Sequence, residues 1–565
     1  MKAWSRRAPA FLGALVLVAA AACTPPPDGG TPTTTSTSST STTSTTAPPT
    51  DTDGDGYNSL SDCDDENPSI NPGAADEAGD EVDQNCDGID GVQDDAVFVN
   101  ANTGANTSTC GVISEPCASI TAGQNRAAAL GRSSVFVAGG SYSRFTVQEG
   151  LEVRGGYGQN WQRGVTASGN AVATVTGSFD NDLGASAAIV AVGIDADTLV
   201  ADLRVVGADE SANGRSSYGV VVKDSTSALV MDTIAVVGGI GGRGGTGAPG
   251  TNATQTAAQG GNDGQNGSDP FTTCSTSRPA GGAGAAGAGN GGAGGSQDSS
   301  CTLGACLGGG CNATSGNAGA NAATVGTSCG RGGAGGQANN VTLGGGASGQ
   351  PGCVFDGGGG SSGTPTNGAP SGGLWARSGG TGGTGTLGAN GTGGGGGGGG
   401  GGNDDGIINE DDRGAGGGGG GAGGARATVA GQGGQSGHAS IAVLISNSSS
   451  SLRNFDVVLG TGGAGGPGGA GGLGQPGGPG GQGGNAHEQG GAGGDGGSGG
   501  RGGHSGGGGG GAGGPSFGVM VIGPAANIDG LSFSGGSGGP GGPGGTPGIA
   551  GQAGQPGAHA NLITF

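Results

Sequence analysis

Short runs of β-branched and apolar residues recur along this chain, separated by polar corners, and they recur as a unit. Residues 440–469 read SIAVLISNSSSSLRNFDVVLGTGGAGGPGG. An apolar run at 441–445 is followed by a turn cluster at 447–451, a second run at 452–459, and then glycine. The same order returns in 218–242 (YGVVVKDSTSALVMDTIAVVGGIGG) and 517–539 (FGVMVIGPAANIDGLSFSGGSGG), and without the glycine tail in 188–207. A two-strand unit of about 22 to 25 residues cannot bury its own apolar face and must stack on its neighbours. The fold expected is mainly β, a right-handed parallel β-helix, because the strands are rich in Val and Ile and no helical period lies between them. The alternative is a β-sandwich of hairpins.

Glycine interrupts this pattern on a large scale. It supplies 153 of 565 residues while aromatics are only 3%, so an ordinary core must be confined to the strand-bearing parts. A long insertion spans 238–437, and shorter ones follow 459 and 534. The departures at Gly238, Gly460 and Gly535 fall at one place in the repeat, so the excursions should leave one corner and lie side by side. Their text is GGx with period three, as in GGAGGPGGAGGLGQPGGPGGQGG at 462–484. Collagen needs more proline and three chains. Doubled glycine resembles single-chain polyglycine II bundles, in which extended threefold helices pack with two glycine faces inward; disorder is the other reading.

Residues 1–23 carry Arg6 and Arg7, an apolar run and Cys23, the pattern of an export signal. The ending Ala20-Ala21-Ala22-Cys23 resembles the lipobox of bacterial lipoproteins, which implies lipidation of Cys23 and attachment to an outer membrane or cell surface. Cleavage by an ordinary signal peptidase is the alternative. Residues 24–50, rich in Thr, Ser and Pro, form a tether with nothing to pack.

The formal net charge of −23 argues against nucleic acid as a partner. Sixteen of the 42 acidic residues lie in 51–95, where there is no Lys or Arg. Such density calls for an unfolded segment or a neutralising cation. Two loops carry the alternate oxygen spacing that Ca²⁺ requires. In the first, Asp51, Asp53, Asp55, the carbonyl of Tyr57 and Asp62 are the candidate ligands, with Gly56 at the sharp turn. In the second they are Asp83, Asn85, Asp87, the carbonyl of Ile89 and Asp94, with Gly88 at the turn. Asp64 and Asp65 stand ready to share ligands between the sites. Both loops end in Asp where an EF-hand has Glu, and no helical pattern flanks them, so weak sites of the extracellular sort are expected.

The run DTDGDGY, then DCDDENPSINPGAADE, then DQNCDGID, resembles the metal-binding motif found on bacterial surface lipoproteins, and its loop logic is similar to thrombospondin type 3 repeats. Residues from 96 onward resemble the opening of pectin-lyase-like β-helix proteins. The pieces are a strand at Phe98 and Val99, the PCASI of 116–120, VFVAGGSY at 135–142 and GGY at 155–157. The resemblance implies a short helix, Ile120–Leu130, that covers the open end of the first coil.

Eleven cysteines less Cys23 leave ten, an even number in an exported chain. We expect Cys63 to pair with Cys86 and Cys110 with Cys117. Cys274, Cys301, Cys306, Cys311, Cys329 and Cys353 then form three further bonds, in any of about 15 connectivities. A zinc cluster is the alternative, but CxxC pairs and partner histidines are absent.

No nucleotide loop, HExxH or GxSxG motif is present in a usable context, so no catalytic residue is assigned. A lyase on this scaffold would draw on Arg154, Arg204, Lys223, Asp195, Asp202 and Asp232, the polar residues of the coils. The expectation is therefore an exported, lipid-anchored, calcium-binding surface protein with a structural or adhesive role toward glycans, matrix or other cells. The order is signal peptide 1–23, tether 24–50, calcium module 51–95, coils 96–237, glycine-rich insertion 238–437 and further coils 438–565. The runners-up are a calcium-dependent carbohydrate-active enzyme and an ice- or surface-binding protein.

Overall fold

The apolar runs form strands, and almost every strand pairs in parallel with its counterpart one repeat away. In the computed structural model the described residues are 49–565, apart from 165–168, 213, 270–275, 297–311, 327, 339–343, 367, 377–379, 404–411 and 525. The export signal with Cys23 and most of the tether lie outside them, as do Cys274, Cys301, Cys306 and Cys311. Residues Asp51–Phe565 make up one unit.

The chain visits three parallel sheets in rotation. From Ser217–Lys223 in one sheet it passes to Leu229–Asp232 in a second and Ala235–Val237 in a third. After an excursion it re-enters at Ser440–Ser446, Ser451–Arg453 and Asp456–Thr461, and again at Ser516–Ile522, Asn527–Asp529 and Ser532–Ser537. Register is strict: Val220 pairs with Val443 and Val443 with Val519, while Val236 pairs with Val457. These columns, with Val200, Met231 and Leu452, line one continuous buried core. Since a one-residue slip would turn every such side chain outward, the core fixes the register.

The repeat thus holds three strands, not two. The second apolar run breaks at Asn454, whose φ of 53° is left-handed, and the same corner carries Thr233 and Asp202 at 50° and 57°. Asn and Asp tolerate that region because their short polar chains bond locally. Here the amide of Asn454 donates to Asp232 at 2.8 Å, and at the preceding corner Asn447 donates to Asp224 at 2.8 Å.

The sheet holding Ser217–Lys223 is buried on both faces, which is why its strands read as unbroken apolar runs. Its outer face carries Tyr218, Val221, Ile441, Leu444, Phe517 and Met520, and Trp375 from a small hairpin packs on them. That hairpin, Ala369–Ser371 with Leu374–Ala376, arises within the glycine-rich insertion. At the first coil, helix Ile120–Leu130 lies across the core. The Ser119 hydroxyl caps it by accepting from Ala122 N–H, and Gly131 ends it at φ 67°. Ile120 and Ala127 join the core beside Val97 and Val135.

All three glycine excursions connect the sheet of Asp456–Thr461 to the sheet of Ser440–Ser446, and they pack together. Their backbone bonds run with period three: Gly244, Gly247 and Gly250 N–H donate to the carbonyls of Ala464, Pro467 and Ala470. Three residues per turn with no internal bonds is the polyproline II geometry, so each backbone group must find a partner on another chain segment. The glycine count follows the number of covered faces. In 462–470 two residues in three are buried and the third is part-exposed, matching GGx. Where glycine is unbroken, at 393–402, 416–421 and 506–511, every position is buried. Gly397, Gly398 and Gly399 donate to Gly418, Ala347 and Asn317 and accept from Gly292, Gly494 and Gly336, so three residues meet six segments.

Candidate metal centre

Residues 51–95 form loops shaped by their own carboxylates. The Asp51 carboxylate accepts from Gly54 N–H at 2.7 Å and Gly56 N–H at 3.1 Å, while Asp55 accepts from Tyr57 N–H at 2.9 Å. Gly56 sits at φ 102°, the position at which only glycine turns freely. The second loop repeats the scheme. Asp83 accepts from Asp87 N–H at 3.1 Å and Gly88 N–H at 2.9 Å, with Gly88 at φ 99°. Asn85 accepts from Asp87 N–H at 2.9 Å, and Asp87 accepts from Gln93 N–H at 2.9 Å.

Two carboxylate clusters result. Oxygens of Asp51, Asp53 and Asp55 lie within 4.8 Å of one another, and so do those of Asp76, Asp83 and Asp87. Asp62 is buried and its charge acts on Asp53, which places it beside the first cluster. Asp62 also lies near Cys63 and Cys86, but those sulfurs are joined as a disulfide and are not thiolate ligands. Asp64 is exposed and gives its N–H to Asp62 at 2.9 Å. Asp65 instead closes the first loop by accepting from the Thr52 hydroxyl at 2.6 Å. Asp94 lies outside the second cluster, exposed on the turn Gln93–Asp95. Asp76, which no loop spacing singles out, occupies the second cluster; only its position in space reveals it.

Several of these oxygens are buried with no hydrogen-bond donor, one each on Asp53, Asp55 and Asp62; the Asp76 carboxylate is buried too, with only the backbone N–H groups of Gly91 and Gln84 near it. Anionic oxygens gathered without donors are what a bound cation compensates. The strain shows in protonation. Burial is the main cause that pushes Asp76 up to about 6, and the charges of Asp83 and Asp87 act in the same direction. Burial likewise raises Asp53 and Asp83. The residues therefore fit a cation, held by Asp51, Asp53, Asp55 and Asp62 at one centre and Asp76, Asp83 and Asp87 at the other.

The module is docked on the coils rather than standing off as a stalk. Ile89 is buried in a cluster with Phe98, Phe136, Tyr157 and Trp161 on the outside of the first strands. Asp90 is buried beside Arg163, with Nε to Oδ2 at 3.1 Å, and accepts from Gly79 and Glu81 N–H at 2.6 and 2.8 Å. The Tyr157 hydroxyl donates to the Asp90 carbonyl at 2.7 Å. Arg163 and Arg154 then share Asp202, each at 3.0 Å. Two of the lyase candidates, Arg154 and Asp202, are thus paired at this docking surface. Asp232 binds Asn454 and Thr233, Asp195 is exposed, and Lys223 reaches the Gly372 carbonyl at 3.3 Å. The structure does not gather the six into one site.

The disulfides Cys63–Cys86 and Cys110–Cys117 are present, and Cys329 pairs with Cys353. Comparison with known families finds one match within the module: the family model Cu-binding MopE, described as a "putative metal-binding motif", covers residues 62–91. No curated protein and no solved structure matches the chain. A metal-binding motif is therefore present, spanning Asp62, Asp76, Asp83 and Asp87, while Asp51, Asp53 and Asp55 precede it.

Two outcomes follow from the geometry. Asp76→Ala should weaken the second centre by about tenfold or more while Asp94→Ala leaves it unchanged, as read by calorimetric titration of the full chain. Equal losses from the two substitutions would refute the placement. The second outcome concerns pH. Asp76 titrates near 6 in the metal-free fold, against about 3.9 when unfolded. Between those values the native state holds the extra proton, so metal-free stability falls as pH rises through about 4 to 6. Thermal melts in chelator should therefore show a higher midpoint at the acid end of that window, and added cation should raise the midpoint at neutral pH far more than in acid.

Proposed function

We propose that this chain is an exported, lipid-anchored, calcium-binding protein with a structural or adhesive role at the cell surface. One observation carries the reading: two clusters of carboxylates converge, with oxygens of Asp53, Asp55 and Asp62 buried without a donor, in a module without histidine, methionine or a free thiol among its described residues. Hard oxygen ligands suit Ca²⁺, whereas copper favours imidazole and sulfur. Beyond the module, the three-sheet rotation supports the parallel β-helix reading. The glycine excursions pack as a polyglycine II-like bundle on one side of it, and together they offer a long surface to glycans, matrix or other cells.

The test is retention of the purified chain from residue 24 on acidic and neutral polysaccharides, with and without chelator. Retention without release of short products supports the adhesive role, and its loss on chelation ties that role to calcium. Release of short products would replace it with an enzymatic one. The anchor has its own test: labelling with a palmitate analogue should vanish in Cys23→Ser, and label that persists would refute it.

A further inference from the structure

The glycine bundle carries an open groove of about 610 Å³ where two of its hairpin turns fall short of neighbouring segments. Phe355 forms one wall and Asn390, Thr392 and Gln475 contribute polar groups. None of the described residues that line it is charged.

A further glycine helix does not suit this space. Where bundle segments pack tightly, a glycine faces a neighbouring carbonyl so closely that a Cβ would lie about 2 Å from it, as at Gly394 against Gly497 O, 2.0 Å. The groove walls instead carry Cβ atoms on Ala286, Ala323, Ala389 and Ala425. The groove's glycines already make that contact with one another, Gly423 against Gly391 O and Gly424 against Gln475 O, while the alanine Cβ atoms are exposed and keep a further glycine segment from coming as close.

Phe355 is held on both sides. Two residues before it Cys353 is bonded to Cys329, and Cys353 N–H donates to the Thr392 hydroxyl at 2.7 Å. Immediately after it Asp356 forms a two-pronged pair with Arg501, both contacts at 2.7 Å, and accepts from His504 N–H at 2.8 Å. The ring nevertheless stays 48% exposed. A rigidly supported, exposed aromatic face is a binding platform. The amides are fixed as well. Gln475 accepts from Ala425 N–H at 3.0 Å and donates to the Thr256 carbonyl at 2.9 Å. Asn390 accepts from Arg426 N–H at 3.0 Å, which orients its NH₂ as a donor.

We propose that this groove binds a neutral saccharide, with a sugar ring packed on Phe355 and its hydroxyls bonded to Asn390 and the groove's backbone carbonyls. The absence of charge among the lining residues disfavours uronates and sulfated sugars, which would enter without a counter-charge. The proposal rests on the adhesive reading above but not on calcium, because the groove lies in the bundle and holds none of the module's carboxylates.

The experiment is saturation-transfer NMR of the full exported chain with neutral β-glucan, α-glucan and mannan oligosaccharides, with and without chelator. Wild type, Phe355→Ala and Asn390→Ala are compared, each checked for an unchanged melting temperature. At least one oligosaccharide should bind the wild type regardless of chelator, with at least tenfold loss in Phe355→Ala and a smaller loss in Asn390→Ala. Binding that Phe355→Ala leaves intact overturns the groove while the adhesive reading stands. Binding that appears only with calcium, and is lost in Asp53→Ala/Asp87→Ala instead, overturns it in the same way. Capture of a GGA-repeat peptide in place of any sugar overturns the ligand class. If the wild type binds no saccharide in this assay, the groove proposal is overturned, while retention on the polysaccharide panel decides the glycan-adhesive reading separately.

Discussion

Alanine at Gly397 should collapse the centre of the glycine bundle. A Cβ added there would lie 1.9 Å from the carbonyl oxygen of Gly494 and 2.5 Å from its carbon. The neighbour cannot swing away, because it is backbone: Gly494 N–H donates to Gly398 O, its carbonyl accepts from Gly418 N–H, and the adjoining Gly493 N–H donates to Gly484 O. Moving that segment breaks a row of hydrogen bonds whose groups are buried and have no water to replace them. The loss should be about 3 kcal/mol or more, at the upper end for overpacking. A control separates this from the general effect of replacing glycine. Gly345 is exposed, and the nearest atom to an added Cβ is Ala492 O at 3.7 Å, an ordinary contact. Gly345→Ala should be neutral or slightly stabilising, since alanine restricts the unfolded chain. Thermal melting together with limited proteolysis reads both. If Gly397→Ala melts with the parent, or if the two variants lose equally, the packed-bundle account fails.

With calcium as the module's metal, as proposed, the paired substitution Asp53→Ala/Asp87→Ala should abolish its binding by the full chain, weakening it more than a hundredfold. Asp53 belongs to the first cluster and Asp87 to the second, and each carries a charge that a hard cation needs. Asp53 also contributes an oxygen that is buried without a donor, so its removal relieves repulsion while destroying the site. Metal-free stability of Asp53→Ala alone should therefore hold or rise even as its calcium is lost, a split that a merely structural role would not produce, whereas Asp87→Ala also gives up the bonds from Ile89 and Gln93 N–H. The single variants should each remove about half of the bound calcium. Calorimetry in which the double variant titrates like the parent would show that the cation sits elsewhere.

What the sequence disclosed is what local chemistry controls. Helix Ile120–Leu130 is bounded by Ser119 and Gly131, and the strands at 218–223, 441–446 and 517–522 stand out as apolar runs. The common departure of the excursions was legible because glycine follows Val237, Leu459 and Ser534 at nearly one phase of the repeat; in register Val237 aligns with Val458 and Ser534, so the second excursion leaves one residue later than the others. The break at Asn454 was not, since an asparagine inside an apolar run looks like a tolerated polar residue until its φ is known. Trp375 was hidden for a different reason: its partners, Tyr218, Ile441 and Phe517, lie far away in sequence, and nothing near 375 marks an apolar patch awaiting cover. Long-range proximity also conceals Asp76 in the second cluster and the docking of Ile89 and Asp90 on Tyr157 and Arg163. In the glycine tracts, GGx carried the two-faced packing, while the unbroken runs, readable only as low complexity, mark the segments enclosed on every side.

The proposed function rests on calcium as the metal that the module's carboxylates hold. Its most direct test is equilibrium dialysis of the full exported chain against equal concentrations of Ca²⁺ and Cu²⁺ at neutral pH, with metal content measured afterwards by elemental analysis. The account predicts that calcium is retained, that copper does not displace it, and that Asp53→Ala/Asp87→Ala retains neither metal. Copper retained in place of calcium, and lost in the same variant, would contradict it.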